Sequence, residues 1–76
     1  MTVYPKKVLP AKRIISFEDK QTESRVHLPR YTVLQIKDIR LSPPGSLAIL
    51  SLKDNDGAIY ELETDLKYDV IVRNEN

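Results

Sequence analysis

The sequence predicts an all-β domain, and three observations predict it. Apolar residues come in short β-branched runs rather than at helical spacing, those runs are broken by Pro, Gly and Asx signals, and several alternate polar with apolar residues. With 76 residues the chain is one small domain. A domain of this size buries only about 60% of the surface its unfolded chain exposes, which leaves little apolar surface for a deep substrate cleft.

The elements follow in order. Residues 1–13 carry Lys6, Lys7, Lys12 and Arg13 without an acid, and Pro5 and Pro10 make poor central-strand residues, so this segment reads as a basic arm or an edge strand. Residues 14–73 form the domain proper. Ile14 to Phe17 is an apolar run of strand type, and Val26 and Leu28 alternate with Arg25 and His27 in a short strand that stops at Pro29. Tyr31 to Ile39 extends with Val33 on one face and Thr32, Leu34 and Ile36 on the other. Ser42-Pro43-Pro44-Gly45 ends that strand, because consecutive prolines supply no ladder donors.

Leu47 to Lys53 and Ala58 to Glu63 read as a hairpin around Asp54-Asn55-Asp56-Gly57, since Asx residues tolerate left-handed backbone and Gly adopts positive φ freely. In its second strand Tyr60 and Leu62 alternate with Ile59, Glu61 and Glu63. Residues 64–67 fit one short helical turn capped by Thr64 or Asp65. Tyr68, Val70 and Val72 then alternate with Asp69, Ile71 and Arg73, and residues 74–76 fray. About five or six short strands with at most that one helical turn fit a small closed or nearly closed barrel, SH3-like or OB-like.

Composition removes many kinds of chemistry. There is no cysteine and only one histidine, His27, so thiolate sites, disulfides and multi-histidine metal sites are excluded. Strand alternation turns His27 outward, as a solvated side chain. The two glycines, Gly45 and Gly57, lie in no phosphate-binding motif. Asp54-Asn55-Asp56-Gly57 resembles the start of a calcium loop, but its glycine comes too early and strands flank it, so turn chemistry is the better reading. No catalytic residue, metal site or cofactor is expected, and the chain reads as a non-enzyme. Lys6 and Lys7 interrupt the N-terminal residues before any apolar run of signal-peptide length, and the longest apolar stretch, Leu47 to Leu52, is far too short to span a bilayer. A cytoplasmic protein without a membrane segment is expected.

Charge is distributed unevenly. The net charge of +1 conceals +4 over residues 1–13, +1 over residues 14–40 and −4 over residues 41–76. The leading expectation is an interaction module that binds a macromolecular partner, a protein first, through Tyr4, Tyr31, Glu61, Glu63 and Asp65. The alternative is nucleic-acid binding, in which Lys6, Lys7, Lys12, Arg13, Arg25 and Arg30 neutralise phosphates while Tyr4 and Phe17 offer stacking surfaces. A third reading makes the acidic half a phosphate mimic that inhibits a DNA-binding protein, as viral or mobile-element inhibitors do. The chain is expected to be a monomer, or a homodimer through an uncovered edge strand.

One stretch carries a family resemblance. Ser16-Phe17, then Glu23-Ser24-Arg25-Val26-His27-Leu28-Pro29-Arg30-Tyr31, then Val33 to Ile39, resembles the last third of arginine-specific mono-ADP-ribosyltransferases. In that family a loop bearing an E-x-E motif runs into an apolar strand. Glu23 takes the place of the first motif glutamate, but Arg25 stands where the family places its catalytic glutamate. The resemblance covers about a third of the chain and implies an inactive transferase-like segment.

Overall fold

Among the described residues seven strands make one antiparallel sheet: β1 (Thr2–Pro5), β2 (Leu9–Phe17), β3 (Lys20–Leu28), β4 (Leu34–Ser42), β5 (Leu47–Lys53), β6 (Ile59–Thr64) and β7 (Val70–Arg73). Their order across the sheet is β3-β2-β6-β5-β4-β1-β7. The computed structural model describes residues 1–42 and 47–74. The expected Pro43-Pro44-Gly45 loop and the last two residues of the expected frayed tail lie outside the described residues. None of the described residues forms a helix long and apolar enough to cross a membrane.

The sheet is curled, and chain connectivity requires it. Only three residues separate β1 from β2, a span of about 14 Å at full extension. In a flat sheet the same two strands, with β6, β5 and β4 between them, would stand about 19 Å apart. Curling gives the sheet a concave inner face, which holds the core: Val3, Leu9, Ala11, Leu28, Leu34, Ala48, Leu50, Leu52, Leu62 and Val70. Every buried side chain of β5 and β6 obeys strand alternation, with Ala48, Leu50 and Leu52 facing Thr64, Leu62 and Tyr60 across the ladder. The Thr64 hydroxyl is buried in this face without a hydrogen-bond partner among the described residues, so threonine serves there for its volume.

In β4 the apolar spacing changes from Leu34-x-Ile36 to Ile39-x-Leu41, with two residues between. A register shift between Ile36 and Asp38 absorbs the extra residue, so Ile39 and Leu41 stand opposite Leu50 and Ala48 in the ladder, although both remain exposed.

Three expectations need correction. First, the described residues form seven strands rather than five or six, in a sheet that is not closed: no ladder among them joins β3 to β7. Second, residues 1–13 are not a detached arm or an edge. β1 lies between β4 and β7, with Val3 and Pro5 buried, and Leu9 already belongs to β2. Pro5 is accommodated because it is the last residue of its strand. Third, the two short strands expected near Ile14 and Val26 are the two arms of one hairpin with nine residue pairs, Leu9 opposite Leu28 through Phe17 opposite Lys20. Residues 65–69 form a single turn, closed by the Asp69 amide on the Asp65 carbonyl at 3.1 Å and headed by Asp65, within the one helical turn expected there.

Candidate functional site

The most distinctive local geometry lies where the loop after β3 meets the end of β1. Val3 and Pro5 point into the core, so alternation turns Tyr4 outward. Beside it, Pro29 to Thr32 make a tight turn in which the Thr32 amide donates to the Pro29 carbonyl at 3.2 Å. Tyr31 occupies the third position of that turn with φ 67°, where a side chain is strained and Gly or Asn is the usual residue. Its amide donates to the Pro5 carbonyl at 2.9 Å, which pins the loop to β1.

This backbone places the Tyr31 ring edge-to-face with Tyr4, centroids 5.9 Å apart at 65°. The Arg30 guanidinium sits 4.4 Å from the Tyr31 ring centre and also donates to the Tyr31 hydroxyl. Tyr31 remains 56% exposed, and Val33 nearby in the chain is exposed as well. The result is a pre-ordered surface of two tyrosines and an arginine, the side-chain types richest in binding energy at protein interfaces. Nothing in the sequence marks Tyr31 as left-handed, because the usual signals for that conformation, Gly or Asn, are absent.

The other expected site residues do not gather into one basic patch. The Lys6 amide donates to the Asp69 carbonyl, and the Lys7 ammonium pairs with the Asp69 carboxylate at 3.2 Å. Lys12 pairs with Glu23 at 3.6 Å and faces Glu61 across the β2–β6 ladder. Arg13 lies on the opposite, inner face, across from Tyr60. Glu61 accepts from Arg40 at 3.5 Å, and Arg40 also reaches Asp38 at 3.8 Å. The +4 and −4 blocks of the sequence are therefore interleaved strand by strand.

On the outer face, β2 diverges from β6 beyond Lys12 because Pro10 has no N–H to continue the ladder. The resulting open hollow has Pro10, Lys12, Arg25 and His27 on one side and Glu61 and Glu63 on the other. Pro10 in a strand was the sequence signal for this divergence.

Asp65 is committed to local structure: its carboxylate accepts from the amides of Lys67 at 2.8 Å and Tyr68 at 3.3 Å. Asp54 is too. Its Oδ1 accepts from the amides of Asp56 and Ala58, both at 2.9 Å, and its Oδ2 accepts from the Tyr60 hydroxyl at 3.0 Å. Desolvation opposes ionisation of Asp54. The hydrogen bonds from Ala58, Tyr60 and Asp56, with the nearby Arg13 charge, outweigh it and hold the carboxyl below its ordinary value of 3.8. Desolvation and the Asp54 contact push the Tyr60 hydroxyl above its ordinary value of 10.0. Glu23 and Arg25, the positions of the E-x-E resemblance, lie in mid-strand on the outer face of β3 rather than in a loop. Among the described residues no three His, Asp or Glu side chains cluster as metal ligands.

The fold and the site define a small all-β domain with an exposed aromatic and arginine cluster beside a charge-interleaved sheet face. Comparison of the chain with protein-family models, curated proteins and solved structures finds no match.

Proposed function

We propose that the chain is a non-enzymatic, SH3-like protein-interaction module of the cytosol, and that Tyr4, Arg30 and Tyr31 form its binding surface. The observation that carries this reading is the left-handed backbone of Tyr31. A strained, exposed tyrosine at a position suited to glycine costs stability on the order of 1 kcal/mol, a cost that recognition would justify. The SH3-like reading draws support from the β4-β5-β6 meander flanked by β1 on one side and by a hairpin on the other, with no helix among the described residues. A chain without cysteine suits a reducing compartment.

Protein is favoured over nucleic acid because Lys7, Lys12 and Arg40 already pair with carboxylates of the same chain. The same pairs weaken the phosphate-mimic reading, since Glu61 and Asp69 are among the acids they engage.

The test is affinity capture from a cytosolic extract by the wild-type chain and by Tyr31→Gly, with and without nuclease and at two salt concentrations. The expected result is one protein retained through nuclease and high salt by the wild type and lost by Tyr31→Gly. The variant should keep its melting temperature within about 5 °C, because strain relief and loss of the Tyr4 contact are similar in size and opposite in sign. Equal capture by both chains would sink the assignment of the surface, and loss of capture on nuclease treatment would move the reading to nucleic acid.

A further inference from the structure

We propose that β3 pairs antiparallel with β3 of a second copy of this chain, about a two-fold axis through Ser24. β3 is an edge strand of nine residues, exposed from Lys20 to Arg25, whereas the other edge, β7, has only four. Its available backbone groups follow from the hairpin. Phe17 and Lys20 flank a two-residue loop and so form a hydrogen-bonded pair. Alternation then directs the backbone of Lys20, Thr22, Ser24, Val26 and Leu28 toward β2, and that of Gln21, Glu23, Arg25 and His27 away from the sheet. Pro10 opposite His27 agrees with this phase, because that pair exchanges no hydrogen bond.

A second β3 can satisfy these outward groups in one register. Centring the pair on Ser24 sets Glu23 opposite Arg25 of the second copy twice over, and Gln21 opposite its His27 twice over. All four outward residues of each strand are used, and the strands overlap along their whole length. A slide of two residues either way puts Glu23 against Glu23 or Arg25 against Arg25 and shortens the overlap. A slide of one residue turns the side chains to the wrong faces.

The monomer leaves an electrostatic opening for this partner. Arg25 lies directly opposite Lys12 in the β2–β3 ladder, a like-charge pair, and makes no ion pair among the described residues. Glu23 of the second copy would arrive on the free side of Arg25. Across the dimer seam the outer face would then read Glu61, Lys12, Arg25, Glu23 of the second copy. The inner face would match Thr22 with the half-buried Val26 of the second copy. Edge charges usually repel another strand, but here Glu23-Ser24-Arg25 carries both signs in an order that complements itself when reversed.

The experiment is sedimentation across a concentration series of the full chain, with Glu23→Arg, Arg25→Glu and an equimolar mixture of the two. The wild type should show a concentration-dependent monomer–dimer equilibrium. Each single variant should dimerise at least about tenfold more weakly, since two attractive pairs become repulsive. The mixture should recover a heterodimer, because position 23 of either chain then faces position 25 of the other with opposite charge. Register is read separately: Ser24→Cys, the chain's only thiol, should cross-link on mild oxidation, since a non-hydrogen-bonded pair on the axis brings Cα atoms to about 4.5 Å. Thr22→Cys should not cross-link. A wild type that stays monomeric throughout, a dimer indifferent to either charge reversal, or cross-linking of Thr22→Cys in preference to Ser24→Cys would overturn the proposal.

Discussion

The two hairpins of this sheet are built on opposite terms. In β5–β6 local chemistry and packing agree: the turn has Gly57 at φ 87°, the Asp54 carboxylate holds two turn amides, and both strands lie inside the sheet with alternate residues buried. In β2–β3 they disagree. Its two-residue turn is Glu18-Asp19, both at positive φ, 47° and 63°, without a glycine, and its distal half is exposed on both faces apart from Ile14. Nine residue pairs and the anchored Leu9–Leu28 end hold a reversal that the turn residues themselves disfavour. The first hairpin is scaffold. The second is a projecting arm whose far half opens at lower free energy and whose outer strand is free to meet another chain.

The largest effect that tests this contrast is core truncation. Leu50→Ala removes a fully buried side chain in the centre of β5 and should cost about 2–5 kcal/mol. That is a large share of the roughly 4–11 kcal/mol expected for a chain this short. Ile15→Ala, on the inner face of the projecting arm and 43% exposed, should cost under about 1 kcal/mol. Urea midpoints of the two variants measure both. Equal losses would mean that the arm packs as part of the core, and the contrast would be broken.

The same contrast explains what could be read from the sequence. The β5–β6 hairpin, the outward His27 and the shared outer face of Glu61 and Glu63 were legible, because a turn signal and a period of two coincide there. The β2–β3 hairpin was not, since Glu18-Asp19 carries no glycine or asparagine and the exposed stretch Lys20 to Arg25 has no apolar residue to alternate. β1 was hidden by Pro5, which looks like a strand breaker until one knows that it is a strand's last residue. Of the proposed binding surface, residue type alone pointed to Tyr4 and Tyr31 as protein contacts and to Arg30 only as a phosphate contact. The turn that brings them together was not legible, because its strained position shows only in the backbone.

Turn substitutions sharpen the contrast at intermediate size. Gly57→Ala should destabilise by about 1–2 kcal/mol through backbone strain alone, since an added Cβ meets nothing within 4 Å. Asp19→Gly should do the reverse and stabilise by about 0.5–1 kcal/mol, because glycine adopts positive φ more freely than even an Asx residue at the second position of this turn. Opposite shifts in melting temperature, about 4–8 °C per kcal/mol in a domain of this size, are the expected signature. A loss of stability in Asp19→Gly would mean that the arm's turn is fixed by its side chain after all.

The smallest effect is the response of the scaffold hairpin to pH. Folding lowers the carboxyl of Asp54 below 3.8, so the folded turn binds that proton less readily than the unfolded chain does. Its stabilising contribution is complete above the ordinary value and disappears as pH falls through the lower, folded-state value. Tyr60 is raised above 10.0, so its contribution is complete below that value and is lost as pH rises through the higher, folded-state value. The Asp56 and Ala58 amides, which donate to Asp54 Oδ1, report the acid limb. Their hydrogen exchange, taken as a ratio to that of the Ser24 amide in the arm, should rise at the acid end and stay flat through neutrality. Asp54→Asn should erase that rise, because its amide cannot titrate, and Tyr60→Phe should erase the alkaline loss of stability and shrink the acid rise, because it removes one of the hydrogen bonds that lower Asp54. A rise that persisted in Asp54→Asn would place the acid sensitivity outside the turn, and the two hairpins would then differ in packing but not in charge.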